Sequence, residues 1–147
     1  MKLNELCTLA YARAKAAGWW EPGKEKRPLE VHALIVSEVA EAMEAFRNRK
    51  PAFYLEGPIT PELRAKHPEW DLDTLTVNCD TANTADIAAA LATFPSGKPE
   101  GEATELADTV IRIADWFGRN GWDLEAVVKA KMDYNATRGI RHGNKAA

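Results

Sequence analysis

The chain has 147 residues, and 19 Lys+Arg against 22 Asp+Glu leave a net charge of −3. That length supports one domain with a core of its own, and 46% apolar with 28% charged residues argues against a disordered or membrane-embedded chain. Two cysteines, Cys7 and Cys79, are too few for a disulfide framework or a zinc site by themselves.

The charge is unevenly spread. From Lys129 to the end the chain is +4, which leaves the rest at −7. A duplex-DNA reader normally shows a domain-wide basic face, so no duplex nucleic acid is expected as partner. A small anionic ligand held between acidic and basic walls fits this balance, as does a merely solvated tail. The stretch from Thr81 to Gly97 is Ala-rich but broken by Asp86, and it is too short and weakly apolar to cross a bilayer. The N-terminal MKLNELC carries charges where a signal peptide needs apolar residues. These features predict a cytoplasmic protein without membrane contact.

Leu3, Leu6, Cys7, Ala10, Ala14 and Ala17 recur at helical spacing, and Gly18 ends the run. Trp19-Trp20 and a Pro/Gly loop through Pro28 follow. A second helix is expected from about Leu29 to Arg49, stopped by Pro51, with Val31, Ile35, Val39, Ala42, Met43 and Phe46 as its apolar stripe.

Residues 51–101 read as an irregular insertion. Gly57-Pro58 marks a turn, and Thr60-Pro61 predicts the start of a short helix through Lys66. Leu72, Leu75 and Val77 suggest one short extended piece, and Ile87, Leu91 and Phe94 another short helix closed by Pro95 and Gly97. A long helix from Glu102 to Arg119 carries Leu106, Val110, Ile113, Ala114 and Phe117, and Gly121 breaks it. Asp123 then caps a last helix that ends near Gly139. With no convincing sheet, the expected architecture is an all-α bundle, a single domain over 1–147 with a basic tail over about 139–147.

The second helix carries Glu38-Val-Ala-Glu41, and positions three apart share a helix face. With Ile35 as origin and about 100° per residue, Glu38 falls near 300°, between Ala45 at about 280° and Val31 at about 320°. It therefore lies inside the apolar arc, with Glu41 on its border. An ionised carboxylate there is costly to bury alone, and a divalent cation or a raised pKa would resolve the problem. The long helix carries Glu105-Leu-Ala-Asp108 at the same spacing, although its rotation also fits a solvated face with i, i+4 ion pairs. The conjunction of two carboxylate pairs on two helices points to an all-oxygen site for Mg²⁺, with Mn²⁺ able to substitute. No His follows a Glu by three, as a di-iron bundle would want.

On the last helix, the face begun by Leu124, Val127 and Val128 continues as Lys131, Tyr134, Asn135 and Arg138. Polar donors replace core residues while keeping core direction. Two readings fit: a fraying helix end whose cations complement the dipole, or a phosphate-reading edge extended by Arg141-His142-Gly143.

Two blocks resemble the MazG-like nucleotide pyrophosphohydrolases of the all-α NTP pyrophosphatase superfamily. They are LIVSEVAEAMEAFRN (34–48), preceded by AGWW (17–20), and ELADTVIRIADWFGRNGWDL (105–124), leading into KMDYNATRGIRHG (131–143). With the first helix they cover about two thirds of the chain, and the ending is similar to phage- and prophage-type members, the MazZ branch included. The resemblance implies a MazG-like helical bundle with the insertion between its two metal-binding helices. It implies hydrolysis of a nucleoside triphosphate to the monophosphate and pyrophosphate, in the cytoplasm of a bacterium or phage-infected host.

By position, Glu38, Glu41, Glu105 and Asp108 would be metal ligands, and Glu38, Glu41 and Lys131 would serve catalysis. Lys131, Tyr134, Asn135, Arg138 and His142 would bind the triphosphate, and Trp20 would help hold base or sugar. A homo-oligomer, dimer or tetramer, is also implied. The phage-type ending points to deoxynucleotides, dGTP first, with Asn78, Asp80 and Asn83 able either to read a guanine edge or to serve as turn formers and caps. The alternatives are a dUTP- or dCTP-directed pyrophosphatase, or a non-enzymatic helical interaction module. The insertion is longer than the family's usual connection.

Overall fold

The computed structural model describes residues 1–79 and 81–138. Asp80, Arg141, His142 and the tail from 139 onward therefore lie outside the described residues. Six helices and three strands occur among the described residues: α1 (Leu3–Ala16), α2 (Pro28–Arg47), β1 (Phe53–Pro58), α3 (Pro61–Lys66), β2 (Thr74–Cys79), α4 (Thr84–Thr93), β3 (Lys98–Glu100), α5 (Glu102–Asn120) and α6 (Leu124–Ala136). No helix among them is long and apolar enough to cross a membrane. Helix dominates, as the periodicity predicts, but the all-α expectation is incomplete.

The correction lies in residues 51–101, which are not irregular. They form a three-stranded antiparallel sheet in the order β2-β1-β3, with Leu55 facing Val77 on one side and Pro99 on the other. Thr60 caps α3, its hydroxyl accepting from the Leu63 amide at 3.3 Å, and Asn83 caps α4 by accepting from the Asp86 amide at 2.9 Å. Side chains alternate across a strand. Phe53 and Leu55 of β1 and Val77 and Cys79 of β2 accordingly join Ile59, Leu63, Ala90 and Phe94 in one apolar cluster. Leu55 and Phe94 are fully enclosed within it.

The chain divides into two compact units, Met1–His32 with Val110 onward, and Ala33–Thr109. The sheet and its cluster belong to the second. The first has a separate core of Cys7, Ala10, Ala114 and Leu124, flanked by Leu6, Phe117 and Val128. Gly118 of α5 permits a close approach there, since a Cβ would stand 2.4 Å from the Cys7 carbonyl oxygen of α1. Asn4 of α1 and Asp123 together cap α6: Asp123 accepts from the Ala126 amide and the Asn4 side chain, both at 2.9 Å.

The apolar stripe read along α2 is only partly covered. Val31 and Ala42 are buried, whereas Met43 and Phe46 are exposed. Helical periodicity reports which residues share a face, not whether the chain itself covers that face.

Candidate metal centre

Glu38 and Glu41 project from α2 within the second unit, and Glu105 from the first turn of α5 in the same unit. Glu38 is 6% exposed, in keeping with its place in the apolar arc, while Glu41 is exposed and Glu105 half-buried. The start of α5 is pinned by its approach. The Ala103 amide donates to the Ala52 carbonyl at 2.9 Å, and Gly101 turns at φ +106°, where a Cβ would meet the Pro51 carbonyl oxygen at 2.5 Å. Helical bonding resumes with the Glu105 amide donating to the Gly101 carbonyl at 3.1 Å.

The result is a convergence of three carboxylates. One oxygen from each of Glu38, Glu41 and Glu105 lies within 4.8 Å of the other two. Oxygens on opposite sides of a hard cation, each about 2.0–2.6 Å from it, stand about 4–5 Å apart. The trio is therefore close to ligating separation before any ion enters. Burial, and then the charges of Glu41, Glu100, Asp108 and Glu38, hold the Glu105 carboxyl above its ordinary range. Clustered like charges are costly alone, and a divalent cation reverses that cost. An oxygen-only donor set at this spacing fits Mg²⁺ or Mn²⁺.

Asp108 does not join the trio, although its charge still acts on Glu105. The solvated-face reading of α5 is corrected at its first turns. Glu105 and Asp108 are partly covered, and Leu106 of the supposed core stripe is 45% exposed. The physical reason is the anchoring at Ala52, which rotates Glu105 toward the α2 carboxylates. The periodicity of α5 alone does not contain that rotation.

Three residues near the trio escape sequence reading. Tyr54, Lys98 and Glu100 stand on β1 and β3, and strand pairing places Tyr54 opposite Glu100. The Tyr54 hydroxyl is raised by burial and then by Glu100, Glu56 and Glu105. Tyr54 is signalled only by alternation in the short strand FYLE, and Lys98 and Glu100 sit in the three-residue β3, both too short to stand out.

The expected phosphate contacts lie in the first unit, on α6. Tyr134 is flanked by two cations, with Lys131 5.4 Å and Arg138 5.8 Å from its ring centre. Asn135 is half-buried, and its Oδ1 is enclosed without a hydrogen-bond partner among the described residues.

Trp20 is the other correction. It is 8% exposed, and its indole N–H donates to Asp115 at 2.9 Å. Trp116 and the Arg119 guanidinium lie 6.1 and 5.4 Å from its ring centre, so no open face remains for a base. Of the expected base-edge residues, Asn83 is committed to capping α4, Asn78 is exposed on β2, and Asp80 lies outside the described residues. No protein-family model, curated protein or solved structure matches the chain.

Proposed function

We propose that this protein is a divalent-metal-dependent nucleoside triphosphate pyrophosphohydrolase of the MazG-like type, converting a (d)NTP and water to the (d)NMP and pyrophosphate. The observation that carries the reading is the convergence of Glu38, Glu41 and Glu105 from two helices within 4.8 Å. Helices offering carboxylates three residues apart are what the MazG-like bundle would use, and α2 and α5 supply them.

Glu38 and Glu105, the more enclosed members, would hold the ion, and Glu41, the exposed one, would also take the proton from the attacking water. When bound, Mg²⁺ supplies positive charge to the triphosphate and lowers the pKa of coordinated water. Lys131 and Arg138 would offset charge on the departing pyrophosphate, and the Asn135 side-chain NH₂ and the Tyr134 hydroxyl would donate to its oxygens. Trp20 enters as the donor that orients Asp115 rather than as a stacking platform. dGTP remains the first substrate in this reading, with a homo-oligomer as the working form.

The competing class is a helical interaction module whose carboxylates are ordinary charges. Exposed Met43 and Phe46 favour it, because they leave an apolar stretch of α2 open. Melting with Mn²⁺ separates the two. The proposal expects a rise of about 2.7 kcal/mol in stability when free Mn²⁺ is a hundred times its Kd. It expects none in Glu105→Gln, and an unchanged melting curve in the wild type counts against the metal reading.

A further inference from the structure

The small sheet has two unlike faces. Phe53 and Leu55 with Val77 and Cys79 point into the apolar cluster. Alternation places Tyr54 and Glu56 of β1 on the other face, and pairing sets Glu100 opposite Tyr54 and Lys98 opposite Glu56. β3 then runs through Gly101 directly into α5. The Glu100 backbone carbonyl accepts from the Thr104 hydroxyl at 3.2 Å, one residue before Glu105. This polar face is thus tied by one short turn to a ligand of the candidate metal centre.

Lys98 stands at that junction. Its ammonium is paired with the Glu100 carboxylate, which is 25% exposed, while the Lys98 side chain is 77% exposed. Beyond Glu100, the charges of Glu105 and Asp108 also act on it and hold its protonated form. The three glutamates of the trio, with Glu100 and Asp108 nearby, outweigh the charge of a single divalent ion. An approaching polyphosphate meets that excess of negative charge unless a cation from the same neighbourhood turns toward it. A lysine ammonium on a flexible four-carbon stem can exchange one anionic partner for another without backbone movement.

We propose that Lys98 is a polyphosphate-binding residue of the carboxylate site, held by Glu100 in the free protein and turned to the phosphates when a metal-bound polyphosphate arrives. The inference rests on the reading of Glu38, Glu41 and Glu105 as metal ligands. It gives the sheet within residues 51–101 a function: presenting a cation to the substrate from a strand rather than from a bundle helix.

Calorimetric binding of Mn²⁺ alone, and of inorganic pyrophosphate in the presence of Mn²⁺, tests it on wild type, Lys98→Met and Lys98→Arg. Lys98 is exposed on an edge strand, and circular dichroism checks that each variant retains the wild-type fold. In Lys98→Met, Mn²⁺ binding is expected to be undiminished and pyrophosphate binding to weaken about tenfold or more, as for a lost charge-assisted contact. Lys98→Arg should stay within about threefold of wild type, since it keeps the charge. Mn²⁺ uptake with undiminished pyrophosphate affinity in Lys98→Met overturns the inference and leaves the metal reading standing. No Mn²⁺ uptake by the wild type overturns the metal reading and this inference with it.

Discussion

Glu38 of α2 and Glu105 of α5 bring carboxylate oxygens within 4.8 Å of each other. Two anions at this separation oppose folding unless something positive joins them. Burial and the neighbouring carboxylates raise the Glu105 carboxyl, so Glu105→Gln should leave the metal-free protein as stable as wild type or more so, and Glu38→Gln and Glu105→Gln should each abolish turnover. Urea midpoints without metal and initial rates with Mg²⁺ check both halves. A large loss of metal-free stability in Glu105→Gln would assign that residue a structural role.

Lys131→Ala and Arg138→Ala should lower kcat/KM about ten- to two-hundredfold each, as expected for charge-assisted contacts of about 1.5–3 kcal/mol. Lys131 is exposed and lies beside the exposed Tyr134 ring, so its loss in particular should move the melting temperature little. Equal loss of stability without a kinetic defect would favour cations that merely complement the α6 dipole.

Asp115 gives a pH signature in the first unit. Burial pushes its carboxyl above the ordinary 3.8, against the Trp20 indole N–H and the charges of Arg112 and Arg119, which favour ionisation. Between 3.8 and the raised value the folded state holds more proton than the unfolded state, so this group's contribution falls as pH rises through that window. Asp115→Asn keeps an acceptor for Trp20 and should melt higher than wild type at pH 7. The gap should close as pH drops below about 4, near the ordinary aspartate pKa. A lower melting temperature for the variant at pH 7 contradicts this account.

Gly101→Ala should be among the most damaging single-methyl changes in the second unit. It combines φ +106° with a Cβ that would stand 2.5 Å from the Pro51 carbonyl oxygen. A loss of about 1–3 kcal/mol is expected in denaturant unfolding. Mn²⁺ affinity should fall as well, because the same turn sets the rotation of Glu105.

The helices were legible because their signals are local. Gly18 and Gly121 punctuate the long helices, and Thr60, Asn83 and Asp123 cap α3, α4 and α6 as their residue types dictate. The burial of Glu38 followed from rotation about one helix. The sheet was not legible, because β3 is the three residues Lys-Pro-Glu and acquires strand geometry only by pairing with β1. Proline sits there on an edge strand, where a missing amide donor is tolerated. The closure of the Trp20 ring was equally hidden. It depends on Trp116 and Arg119 of α5, almost a hundred positions away.

Pyrophosphate release from the eight common NTPs and dNTPs with Mg²⁺ tests the central claim most directly, with Glu38→Gln and excess chelator as controls. The account predicts release together with the nucleoside monophosphate, fastest from dGTP and absent in both controls. Preference for dUTP or dCTP would change the substrate and leave the reaction in place. Release from none of the eight would contradict the enzyme reading itself.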